Sequence, residues 1–178
     1  MKKIIFILFF AFTAISSYSQ QLGTFMGIKL GINIDSFTKL ISSKGFEYNK
    51  QDDRHPELYY YNGAYLGQYV ELLVLTTPQT HKVRVVSVLF NSYKIGEAYE
   101  ADIKGYYKEL KNKIKTKYGK PTNNDYTIDK IGGCYTSWSN SIGRILLGYS
   151  EIKGDHLSVS FEDFKTSEIA KKEEDSYL

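Results

Sequence analysis

The chain has 178 residues, 24% of them charged and 15% aromatic, with 16 tyrosines, one cysteine and a formal net charge of +3. Two of its 23 basic residues, Lys2 and Lys3, stand in an N-terminal leader, so 21 basic residues face 20 acidic ones behind it, and such a near-neutral chain lacks the broad positive field of a nucleic-acid binder. A single cysteine excludes an internal disulfide, so the fold must be held by its apolar core.

The leader, MKKIIFILFFAFTAISSYSQQ, joins two lysines to an apolar run from Ile4 to Phe12 and ends in small residues at Ser17 and Ser19. This is the pattern of a signal peptide over 1–19, with cleavage leaving Gln20 or Gln21 first. The apolar run falls short of the about 20 residues that cross a bilayer. The only cysteine is Cys134, far from the position where a thiol would take a lipid anchor. A periplasmic or secreted mature chain without a transmembrane segment is expected.

The stretch NIDSFTKLISSKGFEY follows, with Asn33 and Asp35 as capping residues, Phe37, Leu40 and Ile41 at helical spacing, and Gly45 as a left-handed stop. Tyrosines then crowd ELYYYNGAYLGQY, where a strand begins near Tyr59. The run QYVELLVLTT is almost wholly apolar and is expected to be a central strand covered on both faces. It connects through Pro78, Gln79, Thr80 and His81 to KVRVVSVLFN. A second, longer helix is predicted in YEADIKGYYKELKNKIKTKYGKP, with Ile103, Tyr107, Leu110, Ile114 and Tyr118 on one stripe and Gly119 at its end. Strands near Cys134, Gly143 and His156 come next. The turn at Lys153, Gly154 and Asp155 leads into HLSVSFEDF, whose alternation predicts one buried and one wet face. The tail over 166–178 is polar and expected to be disordered.

Strand starts at Tyr59, Gln68 and Val83 follow Gly45 at nearly the spacings by which Cys134, Gly143 and His156 follow Gly119. The expected fold is therefore α+β, a single domain over 20–165 made of two repeats (about 27–95 and 96–165). Each repeat is one helix followed by three antiparallel strands, with the helices packed on one face of the sheet. This layout resembles the β-lactamase-inhibitor-protein architecture and the small outer-membrane assembly lipoproteins related to it. FMGIKLGINIDSFTKLISSKGF and YYKELKNKIKTKYGKP are similar to segments of small exported proteins of Gram-negative bacteria. The resemblance covers most of the mature chain and implies such a fold and an envelope or secreted location. Its motifs mark helix ends and turns, so no functional residue carries over from it, and the missing lipidation cysteine departs from the lipoproteins.

No stretch carries a catalytic or cofactor motif. Asp52, Asp53, His55 and Glu57 in QDDRHPEL are possible metal ligands, but their spacing matches no calcium loop and a solvated linker is the default. Cys134 reads as a packing residue. Lys104, Lys108, Lys111 and Lys115 form a basic stripe on the second helix, able to touch anionic lipid but ordinarily a solvated edge. In a strand, Tyr59 and Tyr61 share one face and Tyr60 takes the other. The binding residues put forward are Tyr59, Tyr60, Tyr61, Tyr65, Tyr135 and Trp138, with Tyr65, Tyr135 and Trp138 expected on an uncovered sheet face. The function expected is a non-enzymatic binding module for a protein, peptide or glycan of the cell envelope, with no cofactor, metal or nucleic acid. The alternative is a small envelope hydrolase whose site, around His55, His156 or Glu71, assembles only in three dimensions.

Overall fold

The computed structural model describes residues 22–90, 103–128, 133–150 and 156–176. The leader over 1–19 with its cleavage point, the expected boundary at 95–96 and the turn at 153–155 lie outside these residues. Among the described residues no helix is long and apolar enough to cross a membrane.

A hairpin of β1 (Thr24–Phe25) and β2 (Ile28–Lys29) comes first. Helix α1 (Ile34–Ser42) starts where the Asn33 side-chain oxygen accepts from the Asp35 amide at 2.9 Å, which satisfies one of the donors a helix start leaves open. It buries Ile34, Phe37 and Ile41 and leaves Leu40 exposed. Gly45 then turns the chain with φ +88°, a conformation that costs a residue without a β-carbon little. Strands β3 (Glu47–Gln51), β4 (Leu58–Tyr65), β5 (Gln68–Thr76) and β6 (Val83–Phe90) follow. Helix α2 (Ile103–Tyr118) buries Ile103, Tyr107, Leu110 and Ile114 and ends at Gly119, φ +84°. Strands β7 (Asn123–Ile128), β8 (Gly133–Ser139), β9 (Gly143–Ser150) and β10 (His156–Asp163) lead into helix α3 (Phe164–Asp175).

The fold is α+β and mostly β. Strands β3 to β10 form one eight-stranded antiparallel sheet, ordered β3-β4-β5-β6-β10-β9-β8-β7. This corrects the expectation of two repeats of one helix and three strands. Among the described residues each of α1 and α2 is followed by four strands, a separate two-stranded hairpin precedes α1, and a third helix follows β10. The two unexpected strands, β3 and β7, are the edges of the sheet. Their sequences, EYNKQ and NNDYTI, are mostly polar and carry Ile128 as their one aliphatic residue, as suits an edge strand, which bonds on one side only and is kept polar against further pairing.

The register defines two faces. Tyr61, Leu72, Val88, Val159, Leu147 and Thr136 lie in one row across six strands. All six are fully buried, under α1, α2 and the first hairpin. The neighbouring row, Tyr60, Leu73, Ser87, Ser160, Leu146 and Ser137, points the other way. Strand β5 is therefore covered on one face only: Val70, Leu72 and Val74 are buried, whereas Glu71, Leu73 and Leu75 remain partly accessible. Strand β4 runs straight through Asn62 and Gly63 because the Phe46 ring lies over Gly63, where a β-carbon would collide with it.

Polar bonds fix the helices to the covered face. Tyr61 Oη and Thr38 Oγ1 are 2.7 Å apart, Tyr107 Oη lies 2.6 Å from Thr136 Oγ1 and donates to Asp125 Oδ1 at 3.0 Å, and the Trp138 indole donates to the Gly119 carbonyl at 2.9 Å. The segment expected to be a disordered tail is instead α3. Asp163 caps it by accepting from the Thr166 amide at 2.8 Å, and Thr166 and Ala170 are buried. Near its other end Glu173 accepts from the Gln79 amide and the Thr80 hydroxyl, both at 2.7 Å, in the turn between β5 and β6. A helix held by one alanine and capping bonds leaves no apolar period in the sequence.

Candidate functional site

Among the described residues, neither α1 nor α2 covers the opposite face of the sheet. Strand alternation sends Leu58, Tyr60, Asn62 and Ala64 of β4 to it, with Tyr69, Glu71, Leu73 and Leu75 of β5, and Val85, Ser87 and Leu89 of β6. Strands β10, β9 and β8 add Ser158, Ser160 and Glu162, then Arg144, Leu146 and Gly148, then Tyr135 and Ser137. The result is a mixed surface: Ser87 and Ser160, their hydroxyls 2.8 Å apart, lie at the centre between the leucines of β5 and β9, and tyrosines stand on the flanks. Charge on it is sparse and largely paired: Arg144 Nη2 meets Glu162 Oε2 at 2.8 Å, and the Lys50 ammonium lies 5.1 Å from the centre of the Tyr60 ring.

Two depressions indent this face. One, of about 430 Å³, is lined by Tyr135, Leu146, Gly148 and Ser158 among others, and a second, of about 350 Å³, by Leu75, Val85, Ser160 and Ser167 among others. They share Arg144 and Leu146 and so form one trough along β9. Gly148 creates its deeper end, since the residue beside Tyr135 in the register contributes no side chain. Tyr135 is backed by Tyr126 at a centroid distance of 5.0 Å, and Tyr126 is 60% exposed.

Of the six predicted binding residues, the structure brings only Tyr60 and Tyr135 to this face, on opposite flanks of the sheet. Tyr61 is 0% and Trp138 2% exposed, and both are core residues. Tyr65 packs among Phe25, Phe90 and Phe161. The expectation that Tyr65 and Trp138 lie on the uncovered face is thus corrected. Tyr65 stands four positions from Tyr61 on the same strand and so shares its side. The single polar atom of Trp138 is satisfied inside by the end of α2, so the ring has no need of water. Tyr59 faces the helix side, in a cleft with Ile34, Thr38 and Tyr48, and burial raises its phenol pKa. Tyr69 and Tyr126 were missed. Tyr126 sits in a strand with no apolar pattern, and Tyr69 heads a run whose hydrophobicity hides its alternation.

The other candidates whose side chains are described do not converge. Asp52 accepts from the Arg54 and His55 amides, each at 2.9 Å, and these bonds, that of Arg54 foremost, hold its carboxyl below the usual value. It therefore shapes the turn before β4. His55 Nδ1 is 3.7 Å from Glu57 in this exposed loop, while Glu71 sits beside Asn62, four residues along β4 from its start and so about 13 Å farther on. The side chain of His156 lies outside the described residues. Among the described residues no three His, Cys, Asp or Glu side chains gather as a metal set. Lys111 pairs with Asp125 at 2.6 Å, which breaks the lysine stripe, while Lys108 and Lys115 are exposed. Cys134 is half-buried, its Sγ 3.6 Å from Tyr107 Oη. No family model, curated protein or solved structure matches this chain.

Proposed function

We propose that the protein is an exported, non-enzymatic binding module that holds a protein of the cell envelope on its open sheet face. The observation that carries this is an open, mixed apolar and hydroxyl surface on an eight-stranded sheet, with tyrosines on both flanks and, among the described residues, no converging set of titratable groups. Eight strands span about 34 Å, and eight-residue strands run about 26 Å. The product, roughly 900 Å², matches the about 800 Å² per partner of a standard protein interface. A single glycan or an extended peptide would cover only part of it. Tyrosines are also among the side chains that carry most of the binding energy at protein interfaces. The leader supports placing this activity in the periplasm or outside the cell, after removal of residues 1–19.

Capture of partners from the cell envelope by the tagged mature protein tests the proposal through two surface variants. Tyr135→Ala removes an anchor. Gly148→Val fills the trough, and its β-carbon meets only ordinary contacts at 3.6 Å. A partner held by the wild type and lost by both variants, while Tyr48→Ala on the helix side retains it, supports the open face. Retention by both variants places binding elsewhere.

A further inference from the structure

A further cleft, on the helix-covered side and independent of the open face, has a composition of its own. It encloses about 330 Å³ between the first hairpin, the β4-β5 hairpin and α2. Its apolar lining is Met26, Tyr65, Leu66, Ile114 and Tyr118, and its basic residues are Lys44, Lys113 and Lys117. Met26 and Leu66 occupy equivalent places in two tight turns, Met26-Gly27 and Leu66-Gly67, with φ of 50° and 81° and of 52° and 84°. Both central residues of such a turn are left-handed, a conformation that Asn, Asp and Gly adopt far more readily than a bulky apolar residue. Two strained hydrophobes directed at one cleft mark it as more than a packing defect.

The polar groups agree. Lys113 pairs with Glu109 at 2.6 Å, but among the described residues neither Lys44 nor Lys117 has a carboxylate partner. Lys117 instead lies 5.2 Å from the centre of the Tyr118 ring. Neither the Tyr65 nor the Tyr118 hydroxyl has a hydrogen-bond partner among the described residues, and burial raises both phenols, so each stays a neutral donor. Apolar walls with two unpaired ammonium groups and two free phenol donors complement an acyl chain ending in an anion. The volume is at the small end of ligand cavities, about 300–1,000 Å³, which fits one short chain.

We propose that this cleft binds a free single-chain fatty carboxylate, the chain against Met26, Leu66 and Ile114 and the carboxylate among Lys44, Lys117 and the two phenols. Titration calorimetry of the chain lacking residues 1–19 with sodium decanoate, below its micelle concentration, tests this beside decanol and phosphatidylglycerol vesicles. The expected result is saturable one-to-one uptake of decanoate, with decanol roughly tenfold weaker, since losing a charge-assisted bond is of that order. The exposed pair Lys44→Gln with Lys117→Gln is expected to weaken uptake roughly tenfold without changing Tm. Leu66→Asn, which suits the left-handed turn, is expected to weaken uptake without lowering Tm. Absence of saturable uptake, equal affinity for decanol, uptake unchanged by the lysine pair, or association with vesicles alone would overturn the proposal.

Discussion

Substitution of Tyr107 by Phe removes one oxygen from the junction between α2, β7 and β8. The ring is 4% and Thr136 0% exposed, so water does not replace what is lost. The hydroxyl bonds Thr136 at 2.6 Å and Asp125 at 3.0 Å. A neutral bond is worth about 1 kcal/mol net and one to a charged group about 1.5–3 kcal/mol. Neither partner is orphaned, because Thr136 still donates to Asp125 Oδ1 at 3.2 Å and Asp125 keeps Lys111 at 2.6 Å. The loss therefore falls near about 2 kcal/mol, or about 4–8 °C in Tm for a chain of this size. Tyr61→Phe is the comparator. It loses one neutral bond, to Thr38 at 2.7 Å, and Thr38 still donates to the Ile34 carbonyl at 2.9 Å, so about 1 kcal/mol is expected. Thermal unfolding of both variants by circular dichroism at one pH measures the difference. A loss in Tyr61→Phe equal to or larger than that in Tyr107→Phe would refute the ranking and the weight placed on the charged partner.

Gly63→Ala is expected to destabilise by about 1–3 kcal/mol, because Phe46 must leave the backbone it covers, and chemical denaturation reads this directly. A chain ending at Phe164 loses α3 with its buried Thr166 and Ala170 and the Glu173 bonds, and roughly 2–4 kcal/mol should go with it; an unchanged Tm would return the segment to a dispensable tail. Lys111, followed by the Tyr107 and Thr136 hydroxyls, holds the Asp125 carboxyl below its ordinary value. A depressed carboxylate stabilises the fold above its unfolded pKa, near pH 4, and the contribution is lost as pH falls through the lower folded value. The stability gap between wild type and Asp125→Asn should accordingly be present at pH 6 and shrink below about pH 4. Gly148→Val should move Tm by less than about 2 °C, as expected of a surface change.

Local signals carried much of this fold. The glycines at 45 and 119 stand at positive φ, and the strands starting at Leu58, Gln68, Val83, Gly133, Gly143 and His156 lie within one residue of where β-branched and aromatic runs place them. What escaped had no local hydrophobic signature. The edge strands β3 and β7 are specified by pairing with their neighbours, and α3 by a cap and by hydrogen bonds from Gln79 and Thr80 of the β5-β6 turn. The faces were harder to read because alternation sets Tyr59 and Tyr61 against Tyr60 without saying which side the helices cover, whereas Phe46, distant along the chain, lies over Gly63 and keeps β4 continuous on that side. That continuity puts Tyr65 on the helix-covered side, packed against the core.

Site-directed photocross-linking within the cell envelope tests the open-face assignment most directly. A photoreactive side chain at Ser158, in the trough of the sheet, should yield a discrete protein adduct, and the same group at exposed Lys39 on the helix side should yield none. An adduct from Lys39 with none from Ser158 would contradict the account.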